Sequence, residues 1–216
     1  MKVAVYVECS SDIQAMTQLL GPLILTKSQQ GIEIKFLAER KGDAKKHVLL
    51  HVPQRAAIVL TNDPNRIVVA MPDLYPKNKG FAHKTKDELI SGIINNFEKA
   101  LPKKVLDDER IKKRFKVFCF KYDLEALILA AEDSLKAHLG ISKFKLKWTK
   151  PVEDQDFNEP PKRIVEDLFA SYGKVYKGPV DAPSILATAD YQDIVAKCPQ
   201  CFKPFVDFLE KLPDIS

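Results

Sequence analysis

The chain has 216 residues, of which 45% are hydrophobic and 29% are charged, and its formal net charge is +5. A mean hydropathy of -0.19 is ordinary for a globular protein, and the length fits one domain, or one domain with a small helical appendage. No apolar run approaches the roughly 20 residues that span a bilayer, which excludes a transmembrane helix. The mild positive charge permits contact with nucleic acid but does not require it, since basic and acidic residues are interleaved.

The N-terminal segment and the cysteines indicate in which cellular compartment the protein is expected. The opening MKVAVYVECSSD reaches a carboxylate too early for the hydrophobic segment and cleavage site of a signal peptide. The four cysteines include one C-x-x-C pair, Cys198 and Cys201. We therefore expect a cytoplasmic protein without stable disulfides and without membrane contact.

The first predicted elements are two strands and the helices that follow them. The run KVAVYV (2–7) is apolar and nearly continuous, which is typical of a strand buried on both faces of a parallel sheet. Asp12 is placed to cap the next helix, and IEIKFLA (32–38) alternates as a less buried strand does. The segment 44–62 predicts two short helices, the second of which has Pro53 in its first turn.

Two further strands and their helices complete the first two-thirds of the chain. The run RIVVAM (66–71) is the second continuous apolar strand, and RFKVFCFKY (114–122) is the third strong strand. Helices are expected from about Thr85 to Ala100 and, after the third strand, over DLEALILAAEDSLKAHL (123–139). Strand and helix thus alternate, which predicts an α/β fold with a mainly parallel sheet and helices on both faces.

The pattern changes beyond Trp148, where proline becomes frequent and short helical stretches alternate with loops. We therefore expect an α/β domain over 1–148 and a helical C-terminal extension over 149–216 that packs on the same domain. These short helices could lie on the sheet or form a surface for a partner.

All three strong strands end at acidic residues. Glu8 follows the first, Asp73 follows the second, and Asp123 with Glu125 follows the third. Ligands of parallel sheets collect at the carboxyl ends of the strands, and neighbouring strands lie about 4.8 Å apart, so these carboxylates could converge. A hard divalent cation is the usual partner of clustered carboxylates, and a second acidic cluster would allow a second ion.

Each of these acids also has a structural explanation. Turns and helix N-termini favour Asp and Glu, so Asp12 and Asp123 could be simple N-caps. For Glu8 and Asp73 together the metal interpretation is stronger, because both follow strands that are otherwise apolar.

Three other features could carry chemistry. Cys198 and Cys201 could be half a zinc site or a redox dithiol, but no second ligand pair accompanies them, so we interpret them as mainly structural. His47 and His51 have the helical i, i+4 spacing without an H-E-x-x-H glutamate, which favours a solvated or capping role. The lysine-rich loop PKNKGFAHKTK (76–86) could hold a phosphate backbone or could simply be a solvated loop.

Several motifs, in their order along the chain, resemble a known group of proteins. A strand followed by Glu8-Cys9-Ser10-Ser11-Asp12 resembles the strand-E-G-x-x-D/E opening of Toprim domains as used in OLD-type nucleases. The segment IVVAMPDLYP resembles their later strand, which ends in D-x-D. More narrowly, PDLYPKNKG, YDLEALILA, NEPPKRI, YGKVYKGP and AKCPQCFKPFVDFL resemble a bacterial family of small Toprim-related proteins, the domain of unknown function 4276.

This resemblance implies a Toprim-like fold and a nuclease that depends on Mg²⁺ or Mn²⁺, of a kind often encoded beside an ATPase in phage-defence or mobile-element modules. By position, Glu8 is implied to be a metal ligand or general base, Asp12 the acid one helical turn later, and Asp73 the first aspartate of D-x-D. Glu125 falls on the acidic pair that opens the family's later helix. Lys174 falls on a Y-x-K motif, which implies a role in neutralising phosphate. The predicted catalytic residues are thus Glu8, Asp73 and Lys174, and the predicted metal ligands are Glu8, Asp12, Asp73 and Glu125.

Two positions depart from the Toprim pattern. Cys9 stands where Toprim domains carry glycine, and Tyr75 stands where the second aspartate of D-x-D would be, which removes one ligand. These departures favour an alternative, a non-catalytic regulatory or effector protein that keeps the fold and docks on a partner ATPase. The chain has no G-x-x-x-x-G-K-[ST] loop and hence no ATPase site of that type. The choice between DNA and RNA and the oligomeric state stay open.

Overall fold

The computed structural model describes residues 1–38 and 42–213. In this part of the chain, four strands form a wholly parallel sheet in the order β2-β1-β3-β4. The strands are β1 (Lys2–Tyr6), β2 (Glu33–Leu37), β3 (Arg66–Ala70) and β4 (Phe115–Val117). The two central strands are almost fully buried, whereas β2, which has one neighbour, alternates exposed and buried residues. This matches the continuous and the alternating apolar patterns of the sequence.

One face of the sheet is covered by the helices between β2 and β4. They are α3 (Ala44–Lys46), a π-helical turn (His47–His51), α4 (Val52–Asn62), α5 (Lys86–Ala100) and α6 (Glu109–Lys112). The Thr85 hydroxyl caps α5 by accepting the Glu88 N–H over 3.2 Å. Within α5, Gly92 leaves room for the Phe81 ring, because a Cβ at this position would lie 2.1 Å from a ring carbon.

The opposite face is covered by the first two helices together with all those after β4. They are α1 (Ser10–Leu19), α2 (Gly21–Gln29), α7 (Glu125–Ala130), α8 (Glu132–Leu139), α9 (Pro161–Ser171), α10 (Gly178–Leu186), α11 (Tyr191–Lys197) and α12 (Phe202–Glu210). The core on this face joins Val5 of β1 to Phe169 and Phe205 of the C-terminal helices. Residues on both sides of 148 therefore share one core, and the domain boundary at that position stays a prediction.

The fold confirms the predicted α/β, Toprim-like class, with a parallel sheet between two helical layers. No helix within 1–38 and 42–213 is long and apolar enough to cross a membrane.

The third strand is shorter than predicted. Of the nine residues in the run 114–122, only Phe115–Val117 form β4. The ladder continues only in part, through Phe120 N–H to the Pro72 carbonyl at 3.1 Å and Leu74 N–H to the Phe120 carbonyl at 2.7 Å. Before them, the Phe118 N–H donates to the Ala70 carbonyl over 3.0 Å, but Pro72 has no N–H with which to continue the ladder to the Phe118 carbonyl, so the regular pairing is interrupted there.

Two helices also begin or end differently from the prediction. Helix α1 is capped by Cys9 instead of Asp12, because Asp12 lies at the third helical position and its Oδ2 accepts the Cys9 N–H over 3.0 Å. The helix predicted over 123–139 is divided at Ala131, where ψ is 50°. The Lys197 ammonium group donates to the carbonyl just before this break, that of Ala130, over 3.0 Å.

Candidate metal centre at the carboxyl ends of the strands

Glu8 and Asp73 leave the sheet side by side, because β1 and β3 are neighbouring strands. Tyr6 pairs with Ala70 at the ends of β1 and β3, and the Met71 N–H donates to the Tyr6 carbonyl over 2.9 Å. Beyond this point, Glu8 Oε1 accepts the backbone N–H of Asp73 over 3.0 Å. The loops after the two central strands are therefore joined directly through a predicted site residue.

Burial disfavours the charges of both carboxylates. It raises the pKa of Glu8 from 4.5 to about 7, although the Asp73 N–H and the nearby Lys45 charge act in the opposite direction. The pKa of Asp73 lies well above its usual 3.8, because of burial first and then repulsion from neighbouring carboxylates, Glu8 foremost. The two side chains thus form an interacting pair that favours a proton or a cation.

Three more acids extend this pair into one group. Burial raises the pKa of Asp12 and of Glu125, and it raises that of Asp123 to about 7 with a further contribution from the Glu125 charge. The Asp12 charge also acts on Glu125 and on the first pair. We call these five residues the acid cluster: Glu8, Asp12, Asp73, Asp123 and Glu125.

One oxygen of the acid cluster has no hydrogen-bond donor. Asp123 Oδ1 is buried without a partner among the residues that the structure describes, while Oδ2 accepts a long 3.4 Å bond from the Lys162 N–H. Buried polar atoms are normally satisfied, so an orphaned carboxylate oxygen among repelling acids fits a hard divalent cation.

The side chains of the acid cluster are not arranged as a complete set of metal ligands. Within residues 1–38 and 42–213, no three His, Cys, Asp or Glu side chains are arranged so that they could hold one ion. The donor chemistry therefore fits a divalent cation, but binding would require side-chain rotations that bring three donors to one ion.

Three residues that sequence reasoning missed contact or surround the acid cluster. Lys45 is buried, and its ammonium group donates to the Asp73 carbonyl over 2.7 Å. Tyr176 donates its hydroxyl to Glu125 Oε1 over 3.1 Å, and the exposed Lys162 lowers the pKa of several of the acids by its charge. Tyr176 and Lys162 lie in the YGKVYKGP and NEPPKRI motifs, which could have drawn attention to them, whereas nothing separates Lys45 from Lys46 in the sequence.

Lys174, the predicted phosphate-neutralising residue, is placed differently from the five acids. Its ammonium group donates over 2.8 Å to the carbonyl of Leu139, the last residue of α8. This contact satisfies a free carbonyl at a helix C-terminus. Its role in neutralising phosphate stays a prediction.

The two departures from the Toprim pattern have clear local settings. Cys9 has φ -135° and ψ 167°, an extended conformation open to any residue, so glycine is not required there. The Tyr75 ring stacks on Tyr122 with centroids 4.7 Å apart, and the Lys77 ammonium group lies 4.7 Å from the Tyr75 centroid. Tyr75 thus supplies aromatic packing where a second aspartate would supply a ligand.

The C-x-x-C pair lies at the start of α12. Both thiols are buried, and the thiol of Cys201 contacts the thiol of Cys119. The Glu153 carboxylate accepts the N–H groups of Gln200, Cys201 and Phe202 at 2.6, 2.8 and 3.2 Å. The two cysteines thus lie in the buried segment that the Glu153 carboxylate holds at the start of α12. This setting is consistent with a structural role for the pair.

Two solved structures and one family model are similar to this chain. Two solved structures are similar: the C-terminal region of the Burkholderia pseudomallei OLD protein (11% identity, TM-score 0.49) and the C-terminal region of the Xanthomonas campestris pv. campestris OLD protein (12%, 0.43). The alignments cover 99% of this chain and 98% of the first, and 96% and 95% for the second, but at these TM-scores we base no inference on them. No curated protein matches the chain. The model of the family described as "Domain of unknown function (DUF4276)" matches residues 7–210, and the chain therefore belongs to this family.

Proposed function

We propose that the acid cluster binds a divalent cation, Mg²⁺ or Mn²⁺, and that the chain is a Toprim-like nuclease or nuclease-effector subunit that acts on phosphodiesters. The observation that carries the proposal is the buried, unpartnered Asp123 oxygen within a group of five carboxylates at the strand ends. Ligands of parallel sheets bind at this edge, and carboxylate oxygens are the donors that hard cations prefer.

The residues that would hold the ion are Glu8 and Asp73, with Asp12 or Glu125, and Asp123 offers its free oxygen. When bound, the ion would stabilise negative charge on a phosphoryl oxygen. Other residues of the chain hold the loops that carry these ligands. Lys45 holds the Asp73 backbone through the hydrogen bond to its carbonyl, which keeps this loop in place beside the acid cluster.

Two further residues act at the other side of the acid cluster. The Tyr176 hydroxyl orients Glu125 through the 3.1 Å hydrogen bond. Lys162 is exposed at the second position of α9, where its ammonium group can meet a phosphate that approaches the acids. Both are positioning or binding roles, and neither requires a proton transfer.

A second candidate function is a non-catalytic effector that keeps the fold and docks on an ATPase. It is favoured by Tyr75, which replaces a ligand by a stacked ring, and by the lack of a ready three-ligand set among the described residues. Such a protein could still bind a cation, and it would lack only the phosphodiesterase activity.

Titration calorimetry with Mg²⁺ and Mn²⁺ tests cation binding. The wild type should bind, whereas Glu8→Gln and Asp73→Asn should each weaken binding at least about tenfold, because each removes one charged ligand of a site that has few. Glu166→Gln, an exposed carboxylate of α9, is the matched control and should bind as the wild type does. A wild type that binds neither ion at millimolar concentration would refute the metal site.

Cleavage assays then separate the two candidate functions. Single- and double-stranded DNA and RNA should be cut with Mg²⁺ or Mn²⁺ by the wild type and by Glu166→Gln, but not by Glu8→Gln or Asp73→Asn. Cation binding without cleavage of any of these substrates would favour the effector.

A further inference from the structure

A second site with a distinct chemical character lies beside α8. An open-sided cavity of about 400 Å³ lies between this helix and the segment 142–150. Four lysines line it, and one acidic residue does: Lys136, Lys143, Lys147, Lys150 and Glu132. The volume falls within the range of about 300–1,000 Å³ that is usual for ligand pockets.

The positive charge of this cavity is only partly neutralised. Lys150 pairs with Glu132 at 2.6 Å, and Lys136 pairs with Asp133 at 3.1 Å. Lys143 and Lys147 make no ion pair with any residue in the described ranges 1–38 and 42–213, although both border the same cavity. An anionic ligand would therefore find two free ammonium groups and would not need to break an existing ion pair.

Aromatic rings stand among these lysines. Phe144 and Trp148 also line the cavity, and their ring centroids are 4.9 Å apart. The Lys136 ammonium group lies 5.4 Å from the Phe144 centroid. In the sequence KFKLKW (143–148), every residue except Lys145 lines the cavity, so lysines and rings of one short segment meet there.

We propose that this cavity, defined by Lys136, Lys143, Phe144, Lys147, Trp148 and Lys150, binds single-stranded nucleic acid, with the lysines at phosphates and the aromatic pair at a base. Positive charge along a groove together with rings for stacking is the combination that binds single strands without sequence preference. A concave pocket of this size admits one nucleotide, whereas a base within a duplex cannot leave its stack to reach a ring without a cost of a few kcal/mol. The choice of nucleic acid among polyanions rests on the proposed function.

The chain offers a direct probe of this cavity, because Trp148 is its single tryptophan. We expect its fluorescence to be quenched saturably when a single-stranded DNA or RNA oligonucleotide is added in EDTA at low salt. An oligonucleotide of the same length without bases should bind without the same quenching, since it has no ring to stack.

Two double variants test the lysines. Lys143→Gln with Lys147→Gln should weaken binding by about tenfold or more at low salt and should reduce the salt slope of log K by about 1.4, at about 0.7 for each phosphate contact of a single strand. Lys103→Gln with Lys104→Gln removes the same charge from an exposed site elsewhere and should change binding by less than about twofold. Anisotropy of a labelled oligonucleotide gives the same constants without relying on tryptophan.

Three results would overturn the proposal. The first is the lack of any binding or quenching at millimolar oligonucleotide, and the second is quenching that both double variants alter equally. The third is binding to vesicles rich in phosphatidylserine with no binding to oligonucleotides. EDTA removes metal ions, so oligonucleotide binding in EDTA tests the lysine cavity without the acid cluster. Calorimetry with Mg²⁺ on the Lys143→Gln/Lys147→Gln variant tests the acid cluster alone. The failure of one proposal is therefore distinguishable from the failure of the other.

Discussion

Replacing Glu8 with glutamine should stabilise the metal-free protein near pH 8, and the gain should disappear towards acidic pH. Glutamine has nearly the shape of a protonated glutamate, and its oxygen can still accept the Asp73 N–H that Glu8 Oε1 accepts at 3.0 Å. The variant therefore removes the charge that burial disfavours and leaves the link between the two loops in place.

The size and sign of this effect follow from the pKa of Glu8, which is 4.5 in its ordinary state and about 7 in the fold. Because the folded pKa is raised, the group's contribution to stability is fully present below pH 4.5 and is lost as the pH rises through 7. The gap corresponds to at most about 3 kcal/mol at pH 8, since the side chain keeps some contact with water. For a chain of this length, that is roughly 6–12 °C in Tm.

Thermal or urea unfolding in EDTA at about pH 5, 6.5 and 8 measures the effect for the wild type, Glu8→Gln and the exposed control Glu166→Gln. Histidines and other distant groups titrate in all three proteins and cancel in the difference between the curves, which reports Glu8 together with its interaction with Asp73. The reasoning fails if Glu8→Gln follows the wild type over the whole range or is less stable near pH 8. Added Mg²⁺ near pH 8 should then stabilise the wild type and narrow the gap, because an ion that binds only the folded state raises its stability.

Three further predictions concern the rest of the fold. Glu153→Ala should lower the free energy of unfolding by about 2–4 kcal/mol in urea, because it leaves three backbone N–H groups of the α12 start unpaired, and the exposed Glu159→Ala should not. Phe169→Ala should cost about 3–5 kcal/mol by leaving a core cavity, whereas the exposed Val175→Ala should cost almost nothing. A thiol reagent should label only one of the four cysteines in the native state, Cys9, and its rate should rise with pH because burial raises the pKa of this thiol to about 11.

The central strands and the acids that follow them could be predicted because their signals are local. The runs KVAVYV and RIVVAM are apolar after their first residue, and a parallel sheet brings their carboxyl ends to one edge. The meeting of Glu8 and Asp73 also requires β1 and β3 to be neighbours, and this order is known only from the structure, which joins the two residues by a hydrogen bond.

The parts that could not be predicted depend on residues distant in sequence. The end of β4 is set by Pro72 on the neighbouring strand, and the division of the helix at Ala131 coincides with a contact from Lys197. Lys45 is buried, although a lysine is usually exposed. The π-helical turn (His47–His51) that follows α3 interrupts the regular period of 3.6 residues, so the sequence pattern does not show which side of the segment faces inward. Tyr176 reaches Glu125 only because the segment before α10 packs beside α7.

The two outer strands of the sheet affect how this chain can meet others. An unprotected edge offers free N–H and C=O groups on which a foreign strand can extend the sheet, and natural proteins blunt such edges with charge and short length. Here β2 carries the ion pair of Glu33 and Lys35 at its exposed positions, and β4 ends after three residues. Both edges are therefore poor templates for strand addition, which protects the chain against sheet-to-sheet aggregation and leaves helices and loops as the surfaces for association.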